Sequence, residues 1–135
     1  QEELAEIMSK VDCGVFPSRA EGWNLEALEM MSMGKWVILT NYSAHSEFSR
    51  EENSFQIAIE DLTPAKDGIW FDGKVGEWAD IGHDEILDFS IAMQRFHYQM
   101  DDDARINSAG IETAKHFSWE NCANKIMECV NDIHE

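Results

Sequence analysis

The feature that most constrains the fold is an alternation of short apolar runs with amphipathic segments along the first 60 residues. Residues 11–16 and 36–40 are rich in β-forming side chains and short, as strands buried on both faces are. Helical patterns cover residues 2–10 and 24–33. The second lies between the two apolar runs, with Asn24 as its predicted N-cap and Gly34 as its predicted C-terminal stop. This alternation of helical and strand patterns predicts an α/β unit whose strands are parallel.

Further elements of the same kind are predicted downstream. A short helix over residues 44–49 and a weaker strand over 54–59 extend the sheet to about three parallel strands. Residues 61–82 contain glycine turns and the apolar residues Ile69, Trp70, Phe71 and Trp78, which predicts a long ordered loop anchored by aromatic side chains. Three C-terminal helices are predicted over residues 83–99, 101–116 and 118–133, with Asp101 and Ser118 as N-caps.

Composition limits the partners of the chain. Its 135 residues suit one domain, and 27 Asp and Glu against 10 Lys and Arg give a net charge of -17. That charge argues against nucleic acid or an anionic membrane as the main partner. Three cysteines without a CxxC pair predict a reducing, cytoplasmic environment, and the spacing of Cys122 and Cys129 predicts a shared place in the core.

The segment between the first two strands carries the candidate chemistry. In an open α/β sheet, ligands bind beyond the carboxyl ends of the strands, and a helix that begins there offers unpaired amides to a phosphate. Gly22 permits close approach, so the amides of Trp23, Asn24 and Leu25 are expected to face a diphosphate.

Two acids flank these amides. Glu29 lies one turn inside the helix, where a carboxylate can accept the two vicinal hydroxyls of a ribose, and Glu21 on the loop reaches the far side of the phosphates. This arrangement suits a nucleotide sugar. The structural alternative stays open, because glycine and acids also occur at ordinary strand–helix corners, where acids favour the helix dipole.

These residues resemble the E-x7-E signature of retaining glycosyltransferases of family 4, which have the GT-B fold. Glu21 and Glu29 are separated by seven residues, as the signature requires. The similarity extends to Pro17-Ser18, Gly34, the strand at 37–40, Glu47 and the start of the terminal helix at Ser118-Trp119-Glu120.

The resemblance implies a role for each matching residue. By this resemblance, Glu21 is the catalytic carboxylate that contacts the hydroxyls of the donor sugar. Residues 22–25 with Ser18 form the donor-binding loop, and Glu29 binds the ribose hydroxyls. A nucleotide-diphospho-sugar is the implied donor, with no metal or other cofactor. The acceptor, a sugar, glycan, lipid or protein, is implied to bind an N-terminal domain that these residues do not include, so the fragment alone is expected to be inactive.

The sequence also departs from the family. Asn24 stands where the family usually has glycine, Ala44-His45 replaces a frequent glycine, and Lys35-Trp36 replaces a residue followed by proline. The family's first strands have no counterpart before Glu2. Residues 1–135 are therefore expected to be the C-terminal portion of a donor domain, in which the strand at 11–16 pairs with a missing strand or with a second copy.

Several alternatives stay open. Another GT-B enzyme, such as a sugar-nucleotide epimerase or a phosphorylase, and a noncatalytic nucleotide-binding or interaction module fit the same fold. Asp101-Asp102-Asp103 matches the metal-binding D-x-D pattern but also suits a helix start, as do His83-Asp84-Glu85 near Asp80. His45 is either a donor-sugar contact or a structural residue.

Overall fold

A computed structural model describes residues 2–100 and 104–132. The helices are α1 (Glu2–Ser9), α2 (Leu25–Ser32), α3 (His45–Phe48), α4 (His83–Gln99), α5 (Ser108–His116) and α6 (Trp119–Asp132). The strands are β1 (Cys13–Phe16), β2 (Trp36–Thr40), β3 (Phe55–Ile57), β4 (Leu62–Lys66) and β5 (Asp72–Ala79).

The first three strands form a parallel sheet in the order β1-β2-β3. Gly14 is paired with Val37, and Ile38 with Phe55. The central strand β2 is buried from Val37 to Thr40, because it has a neighbour on each edge and helices over its faces. The predicted α/β class, with three parallel strands and C-terminal helices, is confirmed.

Alternating side chains of β2 divide the core into two clusters. Val37 and Leu39 pack with residues of α1, α2 and α3, of which Met31 is fully buried. Ile38 faces the other way and packs with Ile57 and with Phe89 and Ala92 of α4. The sheet is therefore covered by α2 on one side and by α4 on the other.

Strand β1 is less buried than its sequence predicts. Val15 is 40% exposed, and the other residues of the strand are half-buried. Within the described part of the chain, β1 pairs with β2 alone and forms an edge of the sheet. The prediction of a strand buried on both faces was therefore wrong, since apolar composition does not reveal which elements cover a strand.

Residues 61–82 contain a β-hairpin rather than the predicted loop. β4 and β5 are antiparallel, with Thr63 opposite Trp78 and an irregularity between Pro64 and Lys66. Gly73 and Gly76 have positive φ and interrupt the alternation of side chains along β5, which hides the strand from a pattern search. Phe71 packs against Trp78 with ring centroids 5.4 Å apart, whereas Ile69 and Trp70 are exposed and anchor nothing.

Helix α5 begins seven residues later than predicted. Its N-cap is Asn107, whose buried side chain accepts a hydrogen bond from the Gly110 amide at 2.7 Å and donates to the carbonyls of Lys35 and Asn53. Two hydrogen bonds to distant parts of the chain, together with the local bond from Gly110, fix this start. The predicted N-cap Asp101 and the D-x-D pattern of residues 101–103 lie outside the described residues.

Helix α6 begins as predicted, with the Ser118 hydroxyl accepting a hydrogen bond from the Asn121 amide at 3.2 Å. None of its residues is buried, and Cys122 and Cys129 are both exposed. The prediction that these two cysteines lie in the core was wrong. Their spacing does place them on one face of the helix, but that face is open to solvent.

Candidate functional site

The candidate site lies where β1 ends and α2 begins. Asn24 is the N-cap of α2, as predicted, and its Oδ1 accepts a hydrogen bond from the Ala27 amide at 3.1 Å. Its backbone is left-handed, with φ of 67°. The helix is followed by Gly34, which also has positive φ, so both predicted signals of this helix are confirmed.

The main-chain amides at the start of α2 lack a hydrogen-bond acceptor within the described part of the chain. We call residues 22–25 the amide loop. Among the residues that the structure describes, no hydrogen bond is donated by the main-chain amides of Trp23, Asn24 and Leu25. Unpaired amides at the start of a helix, together with the positive end of its dipole, favour an anion.

Glu21 is held in place by two serine hydroxyls. The Ser18 hydroxyl donates to Glu21 Oε1 at 2.6 Å. The Glu21 amide donates to Ser43 Oγ at 2.8 Å, and the same hydroxyl donates to the Glu21 carbonyl at 3.2 Å. The carboxylate is therefore oriented by Ser18, while Ser43 fixes the backbone that carries it.

His45 is buried directly beneath this corner. Its Nδ1 lies 2.9 Å from the Thr40 carbonyl, and its Nε2 lies 2.8 Å from Asn24 Nδ2. Burial lowers the pKa of the imidazole, while the Thr40 carbonyl and the charge of Glu21 act in the opposite direction. His45 is therefore a neutral internal residue, and the structural interpretation of it is supported over direct contact with a sugar.

Glu29 faces a different space from Glu21. It lines a cavity of about 570 Å³ between α2 and α6, which we call the α2–α6 cavity, together with Trp23, Leu25 and Trp119. Further lining residues include Leu28, Phe117 and Lys125. Glu21 and Gly22 do not line this cavity. The structure thus groups Ser18 with Glu21, and Trp23 and Leu25 with Glu29, and the amide loop connects the two groups along the chain.

A contact from the hairpin to the site was not predicted. Arg19 Nε donates to the Ala79 carbonyl at 3.0 Å, and the Ala79 amide donates to the Arg19 carbonyl at 2.8 Å. The Arg19 guanidinium also lies over the Trp78 ring, 5.1 Å from its centroid. The end of β5 therefore supports the loop that carries Glu21. No local signal predicts a pairing between residues sixty positions apart.

The acidic residues near the start of α4 line a separate small cavity that includes Asp80, His83 and Glu85. Across residues 2–100 and 104–132, no group of three or more His, Cys, Asp or Glu side chains is arranged to hold a metal ion. None of the described helices has the length and apolarity that a membrane-crossing segment needs.

A parallel sheet with helices on both faces defines an α/β domain that is consistent with part of a GT-B Rossmann-like domain. A family model described as "Glycosyl transferases group 1" matches residues 1–69, just over half of the 135 residues. The chain belongs to this family of glycosyltransferases. No curated protein and no solved structure matches it.

Proposed function

We propose that residues 1–135 are the C-terminal portion of a donor-binding domain, which holds a nucleotide-diphospho-sugar while its sugar is transferred with retention to an acceptor. Membership of the group 1 family supports a nucleotide-sugar donor. The observation that carries the proposal is the amide loop, whose three unpaired amides lie at the start of α2 between Glu21 and Glu29.

In this proposal the donor extends across the helix start. The amides of Trp23, Asn24 and Leu25 bind the diphosphate, because unpaired donors at a helix N-terminus stabilise an anion. Glu29 accepts the ribose hydroxyls from the α2–α6 cavity, and Glu21 accepts hydroxyls of the transferred sugar on the other side. The proposal therefore requires the donor to extend along the amide loop, from the surroundings of Glu21 to the α2–α6 cavity that Glu29 lines.

Sugar transfer breaks the bond between the anomeric carbon and a diphosphate oxygen. Negative charge grows on the leaving diphosphate, and preorganised amides stabilise that charge as it develops, each contributing about 3 kcal/mol. Positive charge grows on the sugar, where the carboxylate of Glu21, oriented by Ser18, holds the ring and stabilises the cationic carbon. These groups need no metal ion for the step proposed here.

The acceptor, a sugar, glycan, lipid or protein, would bind an N-terminal domain in a longer cytoplasmic protein. We propose the free edge of β1 as the place where a further strand of that protein, or a second copy of this chain, adds to the sheet.

A binding experiment tests the proposal on the chain itself. We expect at least one nucleoside diphosphate from a panel with different bases to raise the melting temperature, since a ligand that binds the folded state stabilises it. Glu29→Gln should weaken the binding of that nucleoside diphosphate by about tenfold. Glu21→Gln should leave nucleoside diphosphate binding intact but remove any extra affinity for the corresponding nucleotide sugar.

Glu26→Gln is the matched control, because Glu26 is an exposed acid on α2 that does not line the cavity. An equal loss of affinity in Glu26→Gln and Glu29→Gln would contradict the role of Glu29. Stability unchanged by the whole panel would favour a noncatalytic module. In the longer parent protein, products formed from a labelled donor separate transfer from epimerisation or phosphorolysis.

A further inference from the structure

We propose that Asn24 and His45 form a buried clamp that holds the amide loop in its anion-binding conformation, with His45 as a positioning residue. The inference rests on the proposed function, because the amide loop is the part of the site that binds the diphosphate. It assigns no contact between His45 and the donor, since the imidazole is fully buried.

The hydrogen bonds around His45 define one tautomer. Nδ1 lies 2.9 Å from the Thr40 carbonyl, which can only accept, so Nδ1 carries the hydrogen. The Thr40 hydroxyl, 3.3 Å from the same nitrogen, already donates to the Ser18 carbonyl at 2.7 Å and can therefore only accept from the ring. Nε2 of the neutral ring is then a lone-pair acceptor.

The side chain of Asn24 is assigned by the same logic. Its Oδ1 accepts from the Ala27 amide, so its Nδ2 faces His45 Nε2 at 2.8 Å and donates to it. A continuous chain of hydrogen bonds thus runs from the end of β2 through His45 to the N-cap of α2. It joins Thr40 and Asn24, which lie 16 residues apart in the sequence.

The clamp counters a backbone preference. Residues with a side chain rarely adopt the left-handed conformation, although Asn tolerates it better than most, and Asn24 has φ of 67°. Because both ends of its amide group are hydrogen-bonded in the interior, rotation of Asn24 out of this conformation breaks two buried hydrogen bonds. The neighbouring amides of Trp23 and Leu25 are consequently held in one orientation before any ligand binds.

The clamp requires a neutral imidazole. A protonated ring would place an N–H on Nε2 against the donor Nδ2 of Asn24, and the bond between them would be lost. Thr40 of β2, Asn24 at the start of α2 and Phe48 of α3, the described neighbours from those elements, are uncharged. The charged group that acts on the ring is Glu21, from the loop before α2. Burial keeps the imidazole neutral near pH 7, so the clamp is expected to open as the pH falls below 6.5.

Two substitutions at one position separate the clamp from simple packing. The probe is inorganic pyrophosphate, whose binding is measured by calorimetry at pH 7.5 and pH 5.5, because it carries the charge of a diphosphate without a base or sugar. In His45→Gln, the side-chain oxygen replaces Nε2 as acceptor and does not titrate. His45→Leu fills the same buried space with an apolar side chain that offers no hydrogen-bond acceptor.

We expect His45→Gln to bind pyrophosphate within about twofold of the unsubstituted chain at pH 7.5, and His45→Leu to bind about tenfold more weakly. Between pH 7.5 and pH 5.5 the unsubstituted chain should lose more affinity than His45→Gln, by a factor of less than about ten because burial holds the His45 pKa below 6.5. Protonation of pyrophosphate itself affects both proteins equally and cancels in that comparison. Equal affinity in all three proteins at both pH values would overturn the clamp.

An NMR measurement without ligand keeps the two proposals separable. Ring nitrogen shifts of His45 should show the Nδ1–H tautomer, and the amide signals of Trp23 and Leu25 should broaden or shift in His45→Leu but not in His45→Gln. An Nε2–H tautomer, or amide signals that do not respond to His45→Leu, would refute the clamp. If these spectra behave as expected while pyrophosphate and every nucleoside diphosphate fail to bind, the clamp stands and the proposed function is wrong.

Discussion

Helices α2 and α6 are both amphipathic in sequence, yet the structure covers one and leaves the other open. Four of the eight residues of α2 are buried, and the helix packs on β1, β2 and α5. Helix α6 has 14 residues, and none of them is buried. On its apolar side, Ile126 and Val130 are exposed beside Cys129.

The difference shows what an amphipathic pattern does and does not determine. The spacing of apolar residues fixes which face of a helix is apolar, because that depends on 3.6 residues per turn. Whether that face is buried depends on a second element, which lies elsewhere in the chain. For α2 that element is the parallel sheet, and it places the candidate site at the first turn of a well-anchored helix.

The largest expected contrast with the open helix α6 concerns cysteine reactivity, because Cys13 of the half-buried strand β1 packs against the buried cluster around Ile38. Burial and the nearby charge of Asp12 raise the pKa of the Cys13 thiol to about 12. At pH 8 about one Cys13 in 10⁴ is then a thiolate, the reactive form. Iodoacetamide should modify Cys122 and Cys129 at least a hundredfold faster than Cys13, as followed by mass spectrometry of the intact chain and its peptides.

Guanidinium provides the control for this labelling, because all three thiols should react at similar rates in the unfolded chain. Because a raised pKa moves ionisation of the thiol to higher pH, the rate of Cys13 modification in the folded protein should increase tenfold per pH unit up to pH 10. Labelling of Cys13 at the rate of Cys122 in the folded state would show that β1 is open to solvent.

Truncation of one methionine in each helix tests the same contrast energetically. Met31 of α2 is completely buried, so Met31→Ala should lower the free energy of unfolding by about 2–5 kcal/mol. Met127 of α6 is 58% exposed, and Met127→Ala should change stability by less than about 0.5 kcal/mol. Denaturant unfolding measures both. A comparable loss in Met127→Ala would mean that α6 is covered in solution, for example by a second copy.

Much of the fold was predictable because it depends on local signals. Apolar runs, Asn24 before α2 and Gly34 after it were sufficient for β1, α2 and β2. The hairpin was not predictable, since the glycines of β5 disrupt its alternation and its partner strand is set by pairing across the chain. The start of α5 was missed for a similar reason, because Asn107 is fixed by carbonyls of Lys35 and Asn53.

The candidate site likewise combines features that local sequence predicts with contacts that depend on distant parts of the chain. The positions of Asn24 and Leu25 at a helix start follow from sequence, because capping is local. The partners Ser43 and His45 come from the next strand–helix connection, and Arg19 is held by the hairpin. The roles of Glu21 and Glu29 remain predictions from the family resemblance. Their different surroundings were not predictable, since the α2–α6 cavity depends on where α6 packs.

The smallest expected effect comes from the residue that follows α2. Gly34 has φ of +72°, and its amide donates to the Met31 carbonyl at 2.9 Å, which ends the helix. Alanine at this φ is strained, so Gly34→Ala should lower the free energy of unfolding by about 1–2 kcal/mol. Gly22→Ala is the matched control, because Gly22 lacks positive φ and an added Cβ meets nothing within 4 Å.

Alanine at position 22 restricts the unfolded chain without strain in the folded one, so its effect should lie within about 0.5 kcal/mol of zero or be slightly stabilising. Equal destabilisation by the two substitutions would mean that the amide loop is as rigid as the end of α2. Stability unchanged by Gly34→Ala would instead show that the end of α2 can rearrange. The helix would then be anchored by its buried face and by its capped N-terminus, the end at which the site lies.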